Sequence, residues 1–252
     1  MTPLRPLATI LVLVLASLVM ASVSSARAQE PLVAAASDLQ FALVELAEAF
    51  EADTGLSMRL VTGSSGNFAR QIRQGAPFEL FLSADEAYVL DLARDGHLRD
   101  EGVLYAIGRL ALLLPDGSPI SLDDGPEGLA TALAEGRVRR FAIANPEHAP
   151  YGARAEDWLR HHGLWEAIRP RLVYGENVSQ AAQFALSGSA EGGIVAWSLL
   201  HSPVLSSRGR HRLLDEAGHA PLRQRMALTR RAGPAAERFY RWLQTPAARD
   251  IL

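Results

Sequence analysis

The 252-residue sequence predicts an α/β protein with two lobes, each a mainly parallel sheet flanked by helices. Short apolar runs, which are typical of buried strands, alternate along the chain with segments of helical periodicity. This alternation occurs in both halves of the chain, and each half has the length of a small domain. Because ligands of open α/β sheets bind beyond the carboxyl ends of the strands, we expect a binding cleft between the lobes.

An export signal is expected at the amino terminus. Arg5 precedes an apolar run over residues 7–23, and this run leads to the small-x-small sequence of residues 26–28. That order is typical of a secretory signal peptide. An uncleaved anchor is the alternative, but the run is slightly short for a membrane span and lacks flanking stop-transfer charges. The sequence therefore predicts a cleaved signal peptide over residues 1–28 and a location in the periplasm.

The first half of the mature chain begins with a short apolar run followed by a helical stripe. Leu39, Leu43, Leu46 and Phe50 recur at the spacing of one helix face. Gly96 and Pro115 mark the ends of a later helix and strand. The predicted elements in order are strand 31–36, helix 39–52, strand 57–62, turn 63–66, helix 67–74, strand 78–83, helix 86–95 and a long strand 105–114.

The second half repeats the pattern. Its predicted elements are strand 140–144, helix 155–162, strand 172–174, helix 179–187, strand 193–197, strand 224–230 and helix 234–244. Strands 105–114 and 224–230 are expected to cross between the lobes as a hinge. The predicted first lobe then comprises residues 29–107 and 229–252, and the second lobe comprises residues 108–228.

Composition and motifs argue against several classes of function. The net charge of −3, without a concentrated basic segment, gives no indication of a nucleic-acid partner. Cysteine is absent, which excludes thiol nucleophiles and cysteine metal sites. No nucleophile elbow, phosphate loop or histidine–carboxylate cluster with metal spacing is found in the sequence. We therefore expect neither an enzyme nor a cofactor, and no residue is assigned a catalytic role.

Four strand-to-helix junctions are rich in small and hydroxyl residues. Helix starts expose backbone N–H groups at the positive end of the helix dipole, and this arrangement binds anions. Each junction alone is better explained by ordinary helix capping. Two junctions in each half together indicate a site that holds an anion with neutral donors. The junctions are residues 34–38 (AAASD), 62–67 (TGSSGN), 150–153 (PYGA) and 176–179 (ENVS).

The chain resembles the molybdate-binding proteins of bacterial ABC importers, which are type II periplasmic binding proteins. The matching motifs span nearly the whole mature chain. They are AAAS at 34–37, GSSG at 63–66, ARQI at 69–72, GAP at 75–77, FLSAD at 81–85, NPEHAPYG at 145–152, ENV at 176–178 and GIV at 193–195. The resemblance implies a monomer that captures molybdate, and tungstate as well, and delivers it to a membrane permease.

The resemblance also implies the ligand contacts. Ser37 and Ser65 would donate from side chain and backbone, while Asp38, Tyr151 and Val178 would donate backbone N–H groups. These residues would hold molybdate as an oxyanion, without direct bonds to the metal. Many relatives place a tyrosine hydroxyl where this sequence has Ala196, with Trp197 next, so that hydroxyl is missing here.

Three questions stay open at this point. The side chain of Asp38 is expected to cap its helix, but as a proton acceptor it would suit phosphate. Sulfate is a further candidate ligand, since it is a dianion like molybdate near neutral pH. His148 is expected to be a surface histidine in a turn. A periplasmic enzyme or a sensor on the same fold is the remaining alternative.

Overall fold

Residues 30–252 are described by a computed structural model, and the predicted signal peptide lies outside this range. Within it, no helix is long and apolar enough to cross a membrane. The strands are β1 Leu32–Ala36, β2 Arg59–Gly63, β3 Leu80–Ser83, β4 Val103–Gly108, β5 Leu110–Pro115, β6 Phe141–Ala144, β7 Leu172–Gly175, β8 Gly193–Ala196, β9 Gly209–Leu213 and β10 Leu222–Leu228.

Helices follow most of the strands. The α-helices are α1 Ala42–Thr54, α2 Ser65–Arg73, α3 Glu86–Arg94, α4 Pro126–Ala134, α5 Pro150–His161, α6 Trp165–Ile168, α7 Val178–Leu186, α8 Pro203–Ser206, α9 Pro234–Trp242 and α10 Pro246–Ile251. The 3₁₀ helices are Ser37–Leu39, Arg169–Arg171 and Trp197–His201. Helices α2 and α5 begin at Ser65 and Pro150, earlier than the predicted starts at 67 and 155, so the junction residues lie in first helical turns.

Two five-stranded sheets form the two lobes, in the orders β2-β1-β3-β10-β4 and β7-β6-β8-β5-β9. Strand β1 pairs in parallel with β2 and β3, and β6 pairs in parallel with β7 and β8. Strands β10 and β5 are antiparallel to both of their neighbours. The two-lobed α/β prediction is confirmed. In each sheet four strands run in one direction and the fifth, β10 or β5, is antiparallel to its neighbours, because a strand that follows a crossing enters its sheet in the opposite direction.

The crossings between the sheets differ in detail from the prediction. The expected strand 105–114 is two strands, which end and begin on either side of Arg109 and lie in different sheets. The expected crossing strand 224–230 corresponds to β10, which pairs with β3 and β4 in the first sheet. The return crossing therefore falls between β9 and β10. Periodicity locates strands but does not reveal which sheet an apolar strand joins.

Each lobe buries its own apolar side chains. In the first lobe, Phe50 and Phe239 pack at a ring distance of 4.9 Å on one side of the sheet, and Phe68 and Phe78 pack at 5.3 Å on the other. In the second lobe, α7 packs on β6 and β8 through small buried residues such as Ala181 and Ala185. Helices on the sheet faces leave the carboxyl ends of the strands free to form the site.

Candidate functional site

The four junctions predicted from the sequence meet at one small cavity. It has a volume of about 10 Å³, roughly the space of one water molecule. The cavity is lined by Ala36, Ser37, Asp38, Gly63, Ser64, Ser65, Ala84, Ala149, Pro150, Tyr151, Asn177 and Val178. All five predicted ligand residues are on this list, and no arginine is among the described lining residues. What these residues bind stays a prediction at this point.

The first lobe contributes two buried serines. Ser37 follows β1 in the 3₁₀ helix Ser37–Leu39, and Ser65 is the first residue of α2. The Ser65 hydroxyl accepts a hydrogen bond from the Ala84 N–H at 3.0 Å. The Ser37 hydroxyl accepts one from the Ser179 N–H of the second lobe at 3.3 Å. Each hydroxyl keeps its own proton for an acceptor in the cavity.

The second lobe contributes two helix starts. Tyr151 follows Pro150 in the first turn of α5, and Val178 is the first residue of α7. Backbone N–H groups in a first turn have no acceptor within their own helix. The Asn177 side chain caps α7 by accepting from the Gln180 N–H at 3.1 Å. Gly152 allows α5 to pack on the end of β6, since a Cβ there would lie 2.1 Å from the Ala144 carbonyl oxygen.

The side chain of Asp38 connects the lobes. Its Oδ2 accepts a hydrogen bond from the Tyr151 hydroxyl at 3.0 Å and another from Gln224 Nε2 at 2.6 Å. The 3₁₀ helix of Asp38 has no side-chain cap, so the expectation that this carboxylate caps its helix is wrong. The carboxylate instead turns to the second lobe, where a tyrosine hydroxyl is available at hydrogen-bonding distance.

Gln224 is a functional candidate that the sequence analysis did not single out. It is 2% exposed on β10 and lies between the buried apolar residues Leu222 and Met226 on the same face of the strand. A glutamine on the buried face of a strand needs a hydrogen-bonding partner, and this alternation was the available signal. Its amide reaches both Asp38 and the Tyr151 hydroxyl, the latter at 3.0 Å.

The Asp38 carboxyl has a perturbed acidity. Burial raises its pKa from 3.8 to about 6, and the hydrogen bonds from Gln224 and Tyr151 oppose the rise. Burial, followed by the charge of Asp38, also raises the pKa of the Tyr151 and Tyr105 hydroxyls well above 10, so both are neutral near pH 7. Asp38 is therefore the ionisable side chain of this network whose charge changes near neutral pH.

This shift predicts a pH-dependent stability for the ligand-free protein. The folded carboxyl holds its proton more tightly than the unfolded one, so its contribution favours folding below about pH 4 and is lost as the pH rises through about 6. Relative to Asp38→Asn, the wild-type free energy of unfolding should fall by on the order of 3 kcal/mol between pH 4 and pH 7. Urea unfolding of both proteins at several pH values measures this difference, and parallel pH profiles would contradict it.

Further contacts close the cleft at its rim. The Gly66 N–H donates to the His148 carbonyl oxygen at 2.9 Å, and His148 Nδ1 lies 3.0 Å from the Ser64 hydroxyl. Glu176 accepts from the Asn67 amide and lies 3.7 Å from His148 Nε2. His148 is thus half-buried between the lobes, and the expectation of a surface histidine is wrong. The two lobes are in direct contact on this side of the cavity.

The structure also shows the surroundings of Ala196, where many relatives were expected to carry a tyrosine. Ala196 is fully buried at the end of β8. Trp197 is not among the residues that line the small cavity, and its ring packs instead beside His201 and His211, at 5.6 Å from each. The neighbouring Ser198 hydroxyl donates to the Asp38 carbonyl oxygen at 2.9 Å and adds another contact between the lobes.

Comparison with known proteins gives a consistent result. A family model described as bacterial extracellular solute-binding protein matches residues 31–252. The molybdate-binding protein ModA of Rhodobacter capsulatus is 34% identical over 94% of this chain and 91% of its own length. The ModA protein of Azotobacter vinelandii is 33% identical over 90% and 89%.

Solved structures extend the comparison. The periplasmic molybdate-binding protein of Azotobacter vinelandii superposes with a TM-score of 0.80 at 30% identity, covering 88% of this chain and 96% of that one. The sulfate-binding protein SubI of Mycobacterium tuberculosis superposes with a TM-score of 0.66 at 14% identity, covering 88% and 83%, and shares the fold alone.

Proposed function

Because the chain belongs to the family of bacterial extracellular solute-binding proteins, we propose that it captures molybdate, and tungstate as well, for an importer. The observation that supports this most is the meeting of four helix-start junctions, two from each lobe, at one small cavity with neutral hydrogen-bond donors. A dianion in a dry cleft is held by many such donors. The relatives of highest identity described above carry the name of molybdate-binding proteins. They are binding proteins, and the chain is accordingly not an enzyme.

In the proposed mechanism, the anion first binds the first lobe and the second lobe then closes over it. Ser37 and Ser65 donate from hydroxyl and backbone, and Asp38 donates its backbone N–H. Closure adds the backbone N–H groups of Tyr151 and Val178 and removes water. The ligand thereby shifts an equilibrium between open and closed forms toward the closed one. Since the cavity is small, the lobes would separate slightly around a tetrahedral oxyanion.

The sheet assignments support revised lobe boundaries. The first lobe comprises residues 31–108 and 222–252, and the second comprises residues 110–213, since the strands within each range pair only with each other among the described residues. The hinge then consists of Arg109 and the segment 214–221. The Asp38–Tyr151–Gln224 network lies beside this hinge, because Gln224 is on the strand that returns from it.

We propose a periplasmic location and a permease as the membrane partner. One relative, from Bacillus subtilis, is named as a putative ABC transporter substrate-binding lipoprotein, and it is 28% identical over 87% of this chain. The predicted signal peptide of residues 1–28 supports export. A monomer is sufficient for the proposed mechanism, because both lobes that form the cavity belong to one chain.

A second candidate ligand is favoured by one observation. Oδ1 of Asp38 has no hydrogen-bond partner among the described residues. A carboxylate oxygen in this position would accept a proton from a hydrogen-bearing anion such as phosphate. Sulfate and molybdate carry no such proton near neutral pH, so the ligand preference tests which role Asp38 has.

Isothermal titration calorimetry against molybdate, tungstate, sulfate and phosphate tests the proposal. We expect molybdate and tungstate to bind with affinities within about tenfold of each other, a difference of 1.4 kcal/mol or less. We expect sulfate and phosphate to bind far more weakly. A thousandfold excess of molybdate over its Kd should raise the free energy of unfolding by about 4 kcal/mol. Tightest binding of phosphate would contradict the molybdate assignment.

A further inference from the structure

The two carboxyl oxygens of Asp38 have different surroundings. Oδ2 accepts hydrogen bonds from the Tyr151 hydroxyl and the Gln224 amide. Oδ1 accepts none among the described residues, although the residue is only 3% exposed. A buried, charged oxygen without a donor is unfavourable, whereas a protonated oxygen at the same place carries no charge. Oδ1 is therefore the oxygen better placed to take up a proton.

No cation compensates the charge of Asp38. The ion pairs of residues 30–252 do not include it. A second, larger cavity of about 340 Å³ is lined in part by Asp38, Tyr151 and Gln224, and Arg109 on its wall already pairs with Glu216 at 2.7 Å. The ionisable groups that face Asp38 directly or across this cavity are Tyr105, Tyr151, Glu45, Arg109 and His201.

A bound dianion would add negative charge close to the Asp38 carboxylate. Asp38 follows Ser37 directly and lines the same small cavity as Ser65, Tyr151 and Val178. An oxyanion held by these residues would place two further negative charges near the carboxylate. A like charge at short distance favours the protonated, neutral form of a carboxyl group. The Tyr105 and Tyr151 hydroxyls are neutral near pH 7, so neither carries a negative charge that a proton could remove.

We propose that Asp38 takes up one proton on Oδ1 when the oxyanion binds, so that capture of the dianion is coupled to proton uptake from solvent. A proton from solvent bonds to the Asp38 carboxylate, which becomes a neutral carboxyl group beside the bound dianion. No other covalent bond is made or broken. This inference rests on the proposed function. Its consequence is that affinity rises as the pH falls toward 6.

The acidity of the ligand-free protein agrees with this coupling. Burial holds the pKa of Asp38 at about 6, so the carboxyl is mostly ionised at pH 7 to 8 but protonated at little cost. Molybdate itself remains a dianion across this range. Any proton taken up on binding therefore goes to the protein.

Calorimetry of molybdate binding at pH 5, 7 and 8, in two buffers with different ionisation enthalpies, counts the protons. At pH 8 we expect uptake of close to one proton per molybdate, and about a tenfold rise of Kd between pH 7 and pH 8. At pH 5 the uptake should be small, because the carboxyl is already protonated before binding. Molybdate binding without proton uptake at pH 8 would overturn the inference and leave the proposed function intact.

Two variants assign the proton to a residue. Asp38→Asn keeps the shape of the side chain without its titration, and we expect it to remove the proton uptake and the slope of Kd with pH. His148→Gln removes a different ionisable side chain at the contact between the lobes, and it should keep the uptake. Uptake that persists in Asp38→Asn, or that is lost only in His148→Gln, would overturn the assignment.

The outcomes separate the two proposals. The proton count of the wild-type protein decides the inference even if Asp38→Asn fails to fold. Phosphate binding most tightly, without proton uptake, would show that the carboxylate accepts from a hydrogen-bearing anion and would overturn both proposals. No binding of any oxyanion by the folded wild-type protein would overturn the proposed function and the coupling with it.

Discussion

Replacing both Ser37 and Ser65 with alanine is expected to weaken molybdate binding by about 3–6 kcal/mol, a factor of roughly 10² to 10⁴ in Kd. Both hydroxyls belong to buried residues that line the cavity, and each is assigned one hydrogen bond to the anion. Water cannot replace these donors easily in a closed cleft. Calorimetry of the double variant measures the loss, and an unchanged affinity would remove the assigned site.

The double variant needs a folding control, because both hydroxyls also bond within the protein. Without the Ser65 hydroxyl the Ala84 N–H is left without that acceptor, which costs about 1–3 kcal/mol of stability. Urea unfolding of the ligand-free double variant therefore accompanies the binding measurement. A matched double variant at Ser187 and Ser189, which bond to each other at an exposed turn, should bind molybdate like the wild type.

Gly66→Ala is expected to prevent closure of the lobes while leaving the first lobe folded. A Cβ at this position would lie 2.7 Å from the His148 carbonyl oxygen and 2.9 Å from the Tyr88 hydroxyl. The clash with His148 involves backbone of the other lobe, so a side-chain rotation does not relieve it. Loss of the contacts from Tyr151 and Val178 should weaken binding by about 3–6 kcal/mol.

Small-angle X-ray scattering tests directly whether Gly66→Ala prevents closure of the lobes. The wild-type protein should become more compact on addition of molybdate, and Gly66→Ala should not. Urea unfolding of the ligand-free variant is the folding control, because alanine favours a helix over glycine by up to about 1 kcal/mol, whereas the Tyr88 hydroxyl must shift and the contact with His148 is lost. Gln71→Ala, at an exposed position of the same helix, is the matched control and should close normally. Closure and wild-type affinity in Gly66→Ala would contradict the role of this rim contact.

Much of the fold was predictable because local patterns encode it. The apolar runs of β1, β3 and β6 and the amphipathic spacing of α1 identified those elements. Several elements were missed, among them β9, α4 and the short helices α6, α8 and α10. Strand β9 carries the polar sequence GRHRL and has no apolar run, and α4 was not recognised between the predicted strands 105–114 and 140–144. The one antiparallel strand of each sheet was not predicted either, since strand direction depends on the crossings.

The site was predictable in part. The junctions at Ser37, Ser65, Tyr151 and Val178 have a local signature, and the structure brings them to one cavity as expected. Their role as ligand contacts came from the family resemblance and remains a prediction. The alternation along β10 marks Gln224 as buried but does not identify its partners, and His148 has no local signature, because the partners of both residues lie far away in the sequence.

The sequence by itself determined the alternation of strands and helices, the two lobes and the helix starts that offer free N–H groups, because these depend on hydrogen bonding and burial between near neighbours. Only the tertiary structure decided what the Asp38 side chain does. Its partners Tyr151 and Gln224 are 113 and 186 residues away along the chain. Such contacts depend on how the two lobes pack, and no local pattern of residues encodes that packing.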